Sequence, residues 1–189
     1  MLLLLAGFVL LSSPVLLAAL LLASLCHELG HYAILRLTGG HVKELHVTVF
    51  GAEMQVENRT GYGGELLITL AGPGVNLLLA VLFSSFGKDM EALYLFAGAQ
   101  AILGVFNLLP ICPLDGGTLL WTMVACFTEP YTADRVAMTV GIAAASCLTG
   151  AALVLLLRFG GTPFFLLAAL GLLSHAVKEI GLVKWERKR

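Results

Sequence analysis

The chain has 189 residues, of which 59% are hydrophobic and 12% charged, with a net charge of −1. Soluble domains average about 25% charged residues, so most of this surface must face lipid and an ordinary water-soluble fold is excluded. The near-zero charge leaves no case for a nucleic-acid partner. Cys26, Cys112, Cys126 and Cys147 all fall in apolar surroundings. Their spacing matches neither a disulfide framework nor a four-cysteine zinc site, so they read as reduced, small core residues.

Met1 to Leu11 is apolar, and Ser12-Ser13-Pro14 punctuates it. Eleven residues rising 1.5 Å each reach about 17 Å, against a hydrocarbon layer of ~30 Å. This stretch reads as either a short first span or one truncated at its start, and without a basic start it does not read as a cleaved signal peptide. Val15 to Leu37 follows as a full span, ended by Gly39-Gly40.

Inside that second span lies Cys26-His27-Glu28-Leu29-Gly30-His31. His27 and His31 stand four apart and so share one helix face. Two imidazoles placed that way can grip one zinc ion. Glu28 is rotated by roughly 100° along the helix, beside the ion, where a base takes a proton from water. The spacing is the H-E-x-x-H of zinc peptidases. The plainer reading is a helix with two satisfied histidines, but unpaired His and Glu are costly in an apolar setting.

His41 to Arg59 change character. Leu45 to Phe50 is rich in β-branched and aromatic residues, Gly51-Ala52 reads as a turn, and Glu53 to Glu57 alternates. A β-hairpin is expected there. It is either an ordinary surface hairpin or an edge that pairs with an extended substrate segment.

Leu66 to Phe86 is a third span, expected to be interrupted at Ala71-Gly72-Pro73-Gly74-Val75-Asn76. Small residues there permit close packing. Asn76 either bonds across helices or lines a cavity. Ala92 to Leu109 is a fourth span, with a broken continuation over 114–127. Pro110 and Pro113 break it, and non-helical backbone at this depth must be covered by protein or line a cavity. Asp115 either caps the next helix or, lying between apolar runs beside a break, supplies a third metal ligand. Val136 to Leu157 and Pro163 to Ile180 complete six spans. His175 and Glu179 in the last span lie beside Lys178, where snorkelling to the interface is favoured over a second metal site.

Lysines and arginines set the orientation. With six spans and a cytoplasmic C-terminus, Arg36, Lys43, Arg59, Arg135, Lys178, Lys184, Arg187, Lys188 and Arg189 lie inside. Lys88 and Arg158 lie outside, a clear positive-inside bias. Both termini are then cytoplasmic, and the motif and Asp115 lie toward that face. The expected fold is an all-α polytopic membrane protein of about six transmembrane helices, the first short. A small membrane-associated β-hairpin follows the helix carrying the motif, and residues 1–189 form a single membrane-embedded domain. Two His and one Asp leave a fourth tetrahedral position for water, and Asn107 or Asn76 could donate to an oxyanion.

His27-Glu28-Leu29-Gly30-His31, Ala71-Gly72-Pro73 and Asn107 to Gly116 together resemble the site-2 protease family of intramembrane zinc metalloproteases, over roughly residues 15–120. The resemblance implies one zinc ion held by His27, His31 and Asp115, with Glu28 catalytic. It also implies an Asn at the Asn107 position near substrate and a membrane-re-entrant hairpin around Val49, Phe50 and Gly51. The spacing is most similar to the sporulation branch, that of stage IV sporulation protein FB. That branch usually carries a CBS domain, which is not seen here, so regulation by ATP is not carried over. No PDZ insertion is seen either.

The partners implied are the lipid bilayer of a bacterial cytoplasmic-type membrane, a transmembrane or membrane-tethered regulatory protein as substrate, and a membrane inhibitor protein. Two other readings compete. A membrane metal transporter would often show broken helices repeated in its two halves, and the interruptions here differ in pattern. A catalytically silent membrane scaffold would lack one of the four key residues, and all four are present.

Overall fold

The computed structural model describes residues 14–48, 51–57, 61–86, 90–159 and 163–186. Helix α1 runs Pro14–Leu37, 24 residues. Its proline suits a first helical turn, where φ is preset and no N–H is wanted. At 1.5 Å per residue the helix reaches about 36 Å, enough to cross ~30 Å of hydrocarbon. It stops where the glycines were expected to stop it. Gly39 takes φ +79°, and the Gly40 N–H turns back to the Leu35 carbonyl at 2.9 Å.

Strands β1 (His41–Thr48) and β2 (Gly51–Glu57) pair antiparallel, with Thr48 opposite Gly51 and Val47 opposite Ala52. Gly51 and Ala52 are therefore ladder residues and do not form the expected turn. Val49 and Phe50 lie outside the described residues. Among the described residues no helix packs broadly on the ladder. The expected membrane-associated hairpin is thus not supported.

Helix α2 spans Gly61–Phe86 without a break and contains Pro73. The expected interruption at Ala71 to Asn76 does not occur. A proline frees only one carbonyl, that of Thr69, whereas unwinding an apolar helix exposes many backbone groups to a medium that cannot satisfy them. Helix α3 (Glu91–Asn107) has 17 residues, α4 (Asp115–Ala125) has 11, α5 (Pro130–Phe159) has 30 and α6 (Phe164–Glu186) has 23.

The expected fold class is corrected accordingly. The described chain has six helices, and three are long and apolar enough to cross a membrane: Pro14–Leu37, Gly61–Ser85 and Pro130–Phe159. Helix α3 falls short because it ends before Pro110, at about 26 Å for its length. The broken continuation resolves into the separate short α4, and the apolar part of α6 is confined to Phe165–Lys178. The short first span at residues 1–11 lies outside the described residues. With three such helices and broad apolar exposure, at Leu78, Val81, Ile102 and Leu157 for example, the chain is an integral membrane protein.

The chain divides into two compact units, Met1–Leu108 and Leu109–Arg189. In the first, α1, α2 and α3 pack pairwise. Ala19 and Ala23 of α1 and Ala99 of α3 are buried together, flanked by Leu20, Phe96 and Leu103. Small contact residues let helices approach closely where no hydrophobic force drives them together. In the second, α4 packs on α5 and α5 on α6. Buried Ala133, Gly141 and Ala145 give α5 a small-residue face. The Trp121 indole N–H donates to Asp134 Oδ1 at 2.6 Å, tying α4 to α5.

Candidate metal centre

The first unit brings His27 and His31 together on α1, one turn apart and both buried. Their rings stand nearly perpendicular, 85° apart with centroids 4.7 Å from one another. The Nε2 atoms face each other at 3.1 Å. His31 Nδ1 lies 2.7 Å from the Ile68 carbonyl oxygen of α2. A carbonyl can only accept, so Nδ1 carries the proton and donates. That leaves the Nε2 lone pair of His31 directed at the position His27 Nε2 also faces. Backbone-oriented imidazoles of this kind are what metal-binding histidines use. Two nitrogen ligands 2.0–2.1 Å from a tetrahedral ion lie about 3.3 Å apart, close to the separation found. The pair fits a zinc-sized ion.

Why α1 meets α2 at this point is written in two glycines. A Cβ on Gly30 would lie 2.8 Å from the Ala71 carbonyl oxygen, and one on Gly72 would overlap the His31 ring, 2.6 Å from Cε1. Gly72 is therefore the seat of the ring, and the Ile68 carbonyl one turn earlier is its anchor. The sequence flags Ala71-Gly72-Pro73 as a close-packing site. Which ring it seats depends on the register between α1 and α2, which no local pattern reveals. The Gly72→Ala variant is expected to keep its helix content yet lose about ten- to a hundredfold in zinc affinity. Competition with a chelator of known affinity measures this, and an unchanged affinity would show that the seat is dispensable.

Glu28 is half-buried on the same turn of α1. Asn107 is the last residue of α3, also half-buried. Asn76 is fully buried within α2. Gly51 opens β2.

Asp115 lies in the second unit, half-buried, as the first helical residue of α4. The N-cap is Leu114, in extended conformation at φ −78° and ψ 158°. The capping role considered for Asp115 is thus corrected by one residue. The approach to it is built from tight turns: Ile111 N–H to Leu109 O at 2.7 Å, Leu114 N–H to Ile111 O at 2.8 Å, and Gly117 N–H to Leu114 O at 3.0 Å. Ile111 is fully buried, and a Cβ on Gly117 would come within 2.6 Å of the Cys112 nitrogen. The glycines after Asp115 let this loop fold down on the first turn of α4, which holds the carboxylate's backbone in place.

Comparison with known proteins adds three findings. The family model described as Peptidase family M50 matches residues 84–149, about a third of the chain, a stretch that holds Asn107 and Asp115. Among curated relatives, Rip3 of Mycobacterium tuberculosis, which bears the name zinc metalloprotease, is 33% identical over 121 residues, 54% of this chain and 29% of its own length. Stage IV sporulation protein FB of Bacillus subtilis is 31% identical over 113 residues, 57% of this chain and 39% of its own length. The chain thus spans between about three tenths and two fifths of the length of these relatives. Among solved structures, a site-2 protease from Methanocaldococcus jannaschii aligns with TM-score 0.65 and 22% identity, over 93% of this chain and 83% of that one. That likeness carries the fold.

Proposed function

We propose that this relative of the site-2 protease family is a zinc-dependent intramembrane endopeptidase, cleaving a transmembrane or membrane-tethered regulatory protein near the cytoplasmic face. The observation that carries the reading is the His31 tautomer set by Ile68, which leaves two imidazole Nε2 atoms converging at 3.1 Å. Asp115 is the third ligand of the proposal, supported by its half-buried carboxylate and by a cap position taken by Leu114 instead. Two nitrogens and one carboxylate oxygen are the donor set of a hydrolytic zinc with one position left open.

Zinc held there supplies a Lewis acid that lowers the pKa of water toward about 7. The residues do the rest. Glu28, beside His27 but rotated off the ligand face, accepts a proton from the attacking water and returns it to the departing amine. Asn107, at the end of α3, donates toward the developing oxyanion. A substrate helix shields its own peptide bonds, so it must be extended where it meets Glu28. One ion per chain suffices for these roles, and both termini lie on the cytoplasmic side in this reading.

The test uses purified chain in bilayer nanodiscs, loaded with zinc and mixed with single-span membrane proteins, with fragments identified by mass spectrometry. New termini within or beside a span, suppressed by a chelator, are expected. Zinc uptake into vesicles without any cleavage would favour the transporter instead.

A further inference from the structure

Asn76 on α2 and Gln100 on α3 are both 0% exposed. Neither the Nδ2 and Oδ1 of Asn76 nor the Nε2 and Oε1 of Gln100 has a hydrogen-bond partner among the described residues. Each carboxamide brings two donors and an acceptor with two lone pairs. Leaving such groups dry inside a membrane protein is costly, because lipid offers no substitute. Two of them in one three-helix unit call for a ligand.

Their placement narrows what the ligand is. A Cβ on Gly104 of α3 would sit 3.1 Å from Asn76 Cβ, so α3 faces Asn76 there. Gln100 is one turn before Gly104 and shares its face. Gly72 meets His31, while Gly30 meets both Ala71 and Val75, so α1 and α2 run in opposite directions past one another. One turn forward from Gly72 is Asn76, and one turn back from His31 is His27. Asn76 therefore lies level with the histidine pair, and Gln100 about a turn further toward the start of α3. The buried neighbours along these faces, Ala23, Ala80, Ala97 and Ala99, are small and apolar.

A neutral pair of carboxamides has no charge with which to hold an anion or a bare divalent ion. Full burial leaves no way in for a peptide segment. Water matches both constraints, since it donates twice, accepts twice and fits where only small side chains stand. We infer that Asn76 and Gln100 bind water inside the first unit, forming an internal hydration site beside the imidazole pair. This holds whether or not the chain cleaves peptides.

The sequence makes the test clean. It contains three asparagines (Asn58, Asn76, Asn107) and two glutamines (Gln55, Gln100). Gln100 follows Ala99 and Gln55 follows Met54, while Asn76 alone among the asparagines follows Val. Labelled glutamine with carbonyl-labelled alanine thus identifies Gln100, and labelled asparagine with carbonyl-labelled valine identifies Asn76, with no substitution needed. Water-edited solid-state NMR on the full chain in bilayers then reads magnetisation passing from water to each side-chain amide. Prompt transfer to both amides is expected. Replacing Gln100 by Met, of similar length but apolar, should remove water from its side of the site and leave the transfer to Asn76 reduced but present. Absence of transfer to both amides in the unaltered chain would overturn the inference. It would show carboxamides bonded directly to protein.

Discussion

Replacing Glu28 by Gln is expected to leave zinc bound and to slow peptide hydrolysis by about 10²- to 10⁴-fold, the usual share of general acid–base catalysis. The substitution is nearly isosteric, so the packing of half-buried Glu28 on α1 should survive it. What goes is the lone function a carboxylate has and a carboxamide lacks: taking a proton near neutral pH. The His31 ring is anchored from α2, through the Ile68 carbonyl. Zinc per chain and cleavage rate should therefore separate. If the variant loses zinc along with activity, Glu28 is a ligand rather than a base. If it cleaves at the original rate, the base lies elsewhere.

The imidazole pair could be read from the chain because a helix of 3.6 residues per turn makes the arrangement of His27 and His31 a local property. The result is two Nε2 atoms 3.1 Å apart. What seats His31 was not legible. Ile68 and Gly72 stand 37 and 41 residues away in sequence, and their partnership is set by how two helices slide past one another. Local rules also failed where lipid changes their weight. Gly and Pro ordinarily end helices, yet α2 runs straight through Gly72-Pro73-Gly74 because unwinding would strand backbone groups. The same rules succeeded at Gly39, where the chain leaves α1 and a positive φ is wanted.

Among the described residues three helices are long and apolar enough to cross a membrane, fewer than the sequence suggests. The break expected at Pro110 and Pro113 is present, but it leaves α3 with 17 residues and α4 with 11, both short of a full crossing. At the strands, Gly51-Ala52 carries the composition of a turn, yet both residues are paired, opposite Thr48 and Val47. Gln100 carries no signal in the sequence. A lone polar residue in an apolar run is unremarkable until its burial is known.

Replacing Asp115 by Ala is expected to abolish stable zinc retention, since two imidazoles alone make an incomplete site. The residue opens α4 and shares no helix with His27 and His31. Asp134 supplies the control. It too is a carboxylate of the second unit, but it is engaged with the Trp121 indole at 2.6 Å. The Asp134→Asn variant should keep zinc and retain a hydrogen bond to Trp121 through its carbonyl. Loss of zinc in both variants would point to general damage to the second unit rather than to ligation.

A positive signal is available as well. In the cobalt-loaded protein, the Asp115→Cys variant should bring a thiolate onto the ion, adding a ligand-to-metal charge-transfer band that the unaltered chain lacks. The four native cysteines are present in both proteins, so a band seen only in the variant belongs to position 115. If that band is absent while cobalt stays bound, the third ligand is another residue, and the hydrolytic site must be redrawn around His27 and His31 alone.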